Sequence, residues 1–144
     1  METMTTASKP SDMHEPNGIL RIETSNAPLP LGHYSQAVEC AGLIFLSGIL
    51  PLSSKSGDKN SFREEVSTVL SHADAILRAT GARREDVIKV TVYVTDVGNW
   101  EIFDEEFALF MGPHRPARAV VPVPVLHHDC QVELELIAKA QGAA

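Results

Sequence analysis

The order of apolar and polar positions along the chain predicts three strands, a helix, a strand, a second helix and two closing strands. Leu20-Arg21-Ile22-Glu23 alternates briefly as a first strand, and Asn26-Ala27-Pro28-Leu29-Pro30-Leu31-Gly32 then reads as a loop that delivers His33-Tyr34-Ser35-Gln36 to the next strand. Ala37-Val38-Glu39-Cys40 and Leu43-Ile44-Phe45-Leu46-Ser47, joined by Ala41-Gly42, form a tight hairpin. Its second strand is apolar on both faces and therefore central. Pro51 to Lys59 is a surface loop by its serine and glycine content. Ser61-Phe62-Arg63-Glu64 has the spacing of a capping box, Val66, Val69, Leu70, Ala73, Ile76 and Leu77 follow at helical intervals, and Gly81 closes the helix.

Asp86 to Thr95 is so rich in β-branched residues that it predicts an internal strand. Asn99 to Met111 predicts the second helix, with Trp100, Phe103, Phe107 and Phe110 on its apolar face and Glu101, Glu105 and Glu106 on its wet one. Pro113 and Pro116 end it, a strand carrying Arg118 follows, His127-His128-Asp129 makes a turn, and Gln131 to Ala140 is the last strand. The order β-β-β-α-β-α-β-β suits an α+β domain, a single mixed sheet with two helices on one face. The other face then lacks a cover, and the doubly apolar runs Leu43 to Leu46 and Val120 to Val125 favour burying it by oligomerisation. Met1 to Gly18 has no apolar periodicity and reads as a disordered tail, leaving residues 19–144 as the domain.

At 144 residues the chain can bury a sufficient core without metal or disulfide staples. A net charge of −7 argues against nonspecific nucleic-acid binding, which needs a basic face to displace counterions. The longest apolar run, Ala41 to Leu50, is too short to span a bilayer. Cys40 and Cys130 lie far apart with no CxxC pair, and the polar N-terminus has no signal-peptide pattern, so a reducing, cytoplasmic setting is expected.

The chemistry concentrates on Arg118, a permanent cation in the apolar run Pro116-Ala117-Arg118-Ala119-Val120-Val121, and on Glu133 in the last strand. A guanidinium can fork two donors onto a carboxylate or phosphate, and a glutamate can hold or activate water. On position alone, isolated charges in half-buried strands commonly pair or face water. Glu135 shares the strand face of Glu133 and reads as a structural or solvent charge. His33, beside Tyr34, is either a proton-exchanging imidazole or a structural one. The adjacent His127 and His128 lack a third ligand at useful spacing, so no metal site is expected. Ser35 and Ser47 stand in no nucleophile elbow.

Five blocks in collinear order carry a resemblance: Gly32-His33-Tyr34-Ser35-Gln36-Ala37, Leu46-Ser47-Gly48, Asp86 through Asp96, Arg115-Pro116-Ala117-Arg118-Ala119, and Val132 through Ala138. On these the chain resembles the Rid/YjgF family of reactive enamine/imine deaminases over roughly Ile22 to Ala140. The resemblance implies a chorismate-mutase-like fold, a homotrimer with sites in the clefts between subunits, and no cofactor. It also implies hydrolysis of short-lived enamine or imine acids, such as 2-iminobutanoate and 2-iminopropanoate, to 2-keto acids and ammonia; dehydratases using pyridoxal phosphate produce such intermediates. By the resemblance, Arg118 anchors the substrate carboxylate and Glu133 positions water. Gly48 presents its carbonyl toward the substrate nitrogen, and Tyr34 is the cleft tyrosine.

The chain departs from the family pattern at four positions. His33 stands where proline is common, Ile49 where glutamine follows the glycine, Asp104 where asparagine is common, and Val120 where a small or thiol residue is frequent. The link between second helix and arginine strand is also shorter. Ile49 and Val120 make the walls more apolar, and Asp104, if near the cleft, disfavours a second acidic group on the substrate, so a larger or apolar imine acid is expected. Other readings are a noncatalytic trimer that binds a metabolite or partner, and a biosynthetic relative acting on a related imine or tautomer. RNA cleavage, sometimes attributed to the family, sits poorly with the acidic balance.

Overall fold

The computed structural model describes residues 17–53 and 60–142, and both the tail through residue 16 and residues 54–59 of the expected surface loop lie outside them. The elements come in the expected order: β1 (Leu20–Ile22), β2 (Ala37–Cys40), β3 (Leu43–Ile49), α1 (Phe62–Thr80), β4 (Val87–Val94), α2 (Trp100–Met111), β5 (Ala117–Pro122) and β6 (Val132–Lys139). The strands form one mixed sheet in the order β1-β2-β3-β6-β4-β5. All neighbours are antiparallel except β4 and β5, which run parallel because α2 carries the chain back across the sheet between them.

Local chemistry explains the boundaries. The β2–β3 hairpin turns through Ala41 at φ 52° and Gly42 at φ 79°, both in the left-handed region that a two-residue hairpin of this hand requires. Helix α1 starts at Ser61, which accepts from the Glu64 amide at 3.2 Å, and ends at Gly81 with φ 84°. Val66, Val69, Ala73 and Leu77 form its buried stripe, against Ile44 of β3 and Val132, Leu134 and Leu136 of β6. Complete burial of each large aliphatic contributes about 1.5–3 kcal/mol, so this seam anchors the sheet.

Along β6 the even-numbered Val132, Leu134, Leu136 and Ala138 are buried toward the helices. Glu133, Glu135 and Ile137 alternate onto the opposite face, which carries no helix among the described residues. That face also presents Phe45, Tyr93 and Val121. One detail differs from the sequence reading. Trp100 is 42% exposed rather than part of the core, because α2 lies at the β5 edge where the sheet ends. Of the apolar run Val120 to Val125, the edge strand β5 takes residues up to Pro122, with Val120 packed against the core, and Val125 beyond it is 70% exposed.

Candidate functional site

Two constellations form, on opposite sides of the sheet. The first begins with a β-bulge. Leu46 pairs with Leu136 but Ile49 pairs with Leu134, so Ser47 and Gly48 together oppose Glu135. The extra residue brings the Gly48 backbone against the Glu133 side chain, so closely that a Cβ at position 48 would collide with Glu133 Oε1. Only glycine leaves the carboxylate where it stands.

Three contacts hold this corner. Gln36, 4% exposed, donates from Nε2 to the carbonyls of Thr24 at 3.1 Å and Pro28 at 2.8 Å, and its Oε1 accepts from the Thr24 amide at 2.7 Å. The proline-rich loop is thereby tied down beside Tyr34. Ser47 donates to the Ser35 carbonyl at 2.6 Å, which occupies its hydroxyl and agrees with its not being a nucleophile. Glu65, buried in the first turn of α1, accepts from the Gln131 amide at 2.9 Å and from the Gln131 side chain, fixing the start of β6 two residues before Glu133.

A cavity of about 210 Å³ opens at this corner, lined by Leu29, Tyr34, Gly48, Ile49, Ile76 and His127, among others. Its wall is mostly apolar. His127 and His128 form its outer rim, their rings 4.9 Å apart, on a turn in which His128 (φ 59°) and Asp129 (φ 55°) both adopt the left-handed conformation. Burial pushes the Glu133 carboxyl above its ordinary value, the neighbouring Glu135 adds to this, and His127 opposes it. Glu135 itself accepts a hydrogen bond from Tyr93 at 2.7 Å, which raises the phenol's pKa. The Cys130 thiol is pushed up to about 11, chiefly by burial, and is therefore a poor nucleophile near neutrality. Cys40 and Cys130 are both free thiols.

The second constellation centres on Arg118. It pairs with Val90, a buried residue of the helix face, so its side chain runs beneath α2. There Nη1 donates to Asp104 Oδ1 at 2.9 Å, and the guanidinium carbon lies 5.1, 5.5 and 5.6 Å from the ring centres of Phe107, Phe103 and Trp100. Trp100, Phe103, Asp104 and Phe107 have the i, i+3, i+4, i+7 spacing of one helical face. The apolar aromatic face of the second helix is thus also the cradle of Arg118. Val120, two residues on, packs against the core from the same side of the sheet.

Tyr34, Gly48, Ile49 and Glu133 therefore meet at one corner, and Arg118, Asp104 and Val120 at another. Within one chain Arg118 and Glu133 face opposite sides of the sheet, since Glu133 pairs with Tyr93 and Arg118 with Val90, three residues away on β4. His33 is exposed and lines neither corner. The bulge, the Gln36 clamp and the His127 rim were not anticipated. A glycine interrupting an apolar strand was the available signal for the bulge. Among the described residues no group of three or more histidine, cysteine, aspartate or glutamate side chains is placed to hold a metal ion, and no helix is long and apolar enough to cross a membrane.

Comparison with known proteins gives this arrangement a family. The model described as Endoribonuclease L-PSP, the YjgF/Rid family, matches residues 24–140. The chain belongs to that family. A RutC family protein of Pyrococcus horikoshii is 40% identical over 119 residues, covering 81% of this chain and 94% of the relative. The chloroplastic Reactive Intermediate Deaminase A of Arabidopsis thaliana is 34% identical over 81% of this chain and 64% of the relative. The crystal structure of Escherichia coli TdcF with bound serine superposes with a TM-score of 0.78 at 31% identity, covering 84% of this Rid-family chain and 98% of that one.

Proposed function

We propose that this chain is a cofactor-free hydrolase that deaminates reactive enamine and imine acids to 2-keto acids and ammonia, working as a homotrimer with sites between subunits. The observation that carries the proposal is the close approach of the Glu133 carboxylate to Gly48, a residue of the apolar cavity wall. A desolvated carboxylate with a raised pKa is a competent acceptor for a water proton near neutrality. Relatives named as reactive intermediate deaminases support the reaction class.

In the proposed reaction Arg118 of one subunit anchors the substrate carboxylate in the Gly48–Glu133 corner of the next. The opposite facing of the two residues within one chain supports an intersubunit site, as does the helix-free face with Phe45, Tyr93 and Val121. Glu133 takes a proton from water as the water oxygen bonds to the imine carbon. With the imine protonated at nitrogen, the C=N electron pair moves onto nitrogen as water adds. Glu133 returns its proton to that nitrogen, the C–N bond breaks as the hydroxyl oxygen forms the C=O bond, ammonia leaves, and the hydroxyl proton passes to solvent, leaving the 2-keto acid. Gly48 offers its carbonyl to the substrate N–H, and positioning accounts for much of the acceleration. Leu29, Ile49 and Ile76 in the cavity wall favour an apolar substrate side chain larger than that of 2-aminoacrylate.

The test couples an amino-acid oxidase or a pyridoxal-phosphate dehydratase to the protein and follows loss of the imine. Wild type accelerates it, and Arg118→Ala and Glu133→Gln do not. No acceleration over the spontaneous rate across several imine acids refutes deamination and leaves a metabolite-binding protein. Turnover of 2-aminoacrylate equal to or above that of bulkier imines refutes the substrate preference alone.

A further inference from the structure

The anchor arginine is already engaged. Arg118 Nη1 donates to Asp104 Oδ1 at 2.9 Å, and three aromatic rings of α2 lie within 5.6 Å of the guanidinium. The two partners are unequally placed: the Arg118 side chain is 18% exposed and the Asp104 side chain 46%. The rings and the β5 backbone define where the guanidinium lies, so an exposed carboxylate is not needed to hold it there. What Asp104 adds is a negative charge at the point where a substrate carboxylate must arrive.

We propose that Asp104 is a specificity-determining residue, a built-in carboxylate that competes with acids for Arg118 and keeps the affinity for them low. The inference rests on the reading of Arg118 as the carboxylate anchor. A guanidinium has five N–H donors, so an incoming carboxylate can bind through the remaining edge without dislodging Asp104. It then lies within a few ångströms of a like charge and meets a pair whose net charge is zero. Alternatively it displaces Asp104 and the ion pair is lost. Either route weakens binding relative to an unpaired arginine. A half-buried pair of this kind, partly screened by water, corresponds to a loss of about 5- to 10-fold in affinity.

The inference has a kinetic consequence. The competition acts on the resting carboxylate of the ground state as much as on the transition state, so removing Asp104 lowers KM and leaves kcat unchanged. A weak anchor suits short-lived substrates whose 2-keto products carry the same carboxylate, because product leaves quickly.

The experiment uses 2-oxobutanoate, a stable monocarboxylate with the shape of the product, so that it does not depend on imine chemistry. Its dissociation constant is measured calorimetrically at low salt for wild type, Asp104→Asn, Asp104→Ala and Arg118→Ala, with 2-oxobutanamide as the uncharged control. Asp104→Asn keeps a hydrogen-bond acceptor beside Arg118 and removes only the charge. Both Asp104 variants bind 2-oxobutanoate about 5- to 10-fold more tightly, with a steeper salt dependence than wild type, while amide binding is unchanged. Unchanged or weaker binding in both overturns the proposal and makes Asp104 a strut for Arg118. If Arg118→Ala binds the acid as wild type does, the anchor reading itself fails, whatever Asp104 does. Deaminase assays on the same variants separate these outcomes from failure of the proposed reaction.

Discussion

Gly48→Ala separates the role of Glu133 in function from its role in stability. The φ of Gly48 lies outside the left-handed region, so alanine meets no backbone penalty there. The obstacle is the Glu133 side chain: beyond the overlap with Oε1, the new Cβ would lie 3.3 Å from Cδ and 3.7 Å from Cγ. Because the colliding atom is the far end of a side chain with rotatable bonds, the protein escapes by swinging the carboxylate aside. An off-rotamer side chain costs about 0.5–1.5 kcal/mol, so urea denaturation should show a loss of about 1 kcal/mol. The functional cost is larger. A displacement of roughly 1 Å in the group that orients the attacking water costs on the order of 100-fold in rate. A double-mutant cycle isolates the cause: in a Glu133→Ala background the collision partner is gone, so Gly48→Ala should no longer destabilise. Equal destabilisation in both backgrounds, or wild-type imine turnover by Gly48→Ala, refutes the contact as the organising feature of the site.

Two further perturbations probe the surroundings. Burial and Glu135 raise the Glu133 pKa, so the folded protein holds that proton more tightly than the unfolded chain does. Stability from this group is full below the unfolded pKa and is lost as pH rises through the folded value. Glu133→Gln should therefore be more stable than wild type at pH 7, with the difference disappearing below the ordinary carboxylate range; a constant difference in thermal melts across pH would contradict the raised pKa. Wild-type turnover should fall on acidification through the raised value. Gln36→Leu strands the Thr24 amide and the Pro28 carbonyl, each left without its partner. It should cost about 3 kcal/mol in urea unfolding, and a change below 1 kcal/mol would show that the loop does not depend on the clamp.

Much of the architecture was legible because periodicity reports burial. The stripe Val66, Val69, Leu70, Ala73, Ile76, Leu77 and the alternation of Val132, Leu134 and Leu136 each have one solution that hides their apolar atoms, and the structure adopts it. Ala41-Gly42 and Gly81 marked turns because their positions need backbone angles that few residues take readily. The exceptions lie at the sheet edge. Trp100 and Val125 are large apolar residues that stay exposed, because hydrophobicity does not say where a sheet ends.

The candidate site divides along the same line. Sequence alone determined that Arg118 and Glu133 are the chemically unusual residues and that Gly48 interrupts an apolar strand, because residue type and local spacing are properties of the chain itself. Tertiary structure decided what each of them faces. The bulge at Ser47-Gly48 opposes two residues to one, a relation between β3 and β6 that neither segment encodes by itself. Strand parity sends Arg118 beneath α2 to Asp104 and Glu133 to the helix-free face, so that two charges carried by one sheet point away from each other. A side chain's environment is assembled from elements distant in sequence, which is why Asp104, 14 residues before Arg118, became its partner only when α2 crossed the sheet.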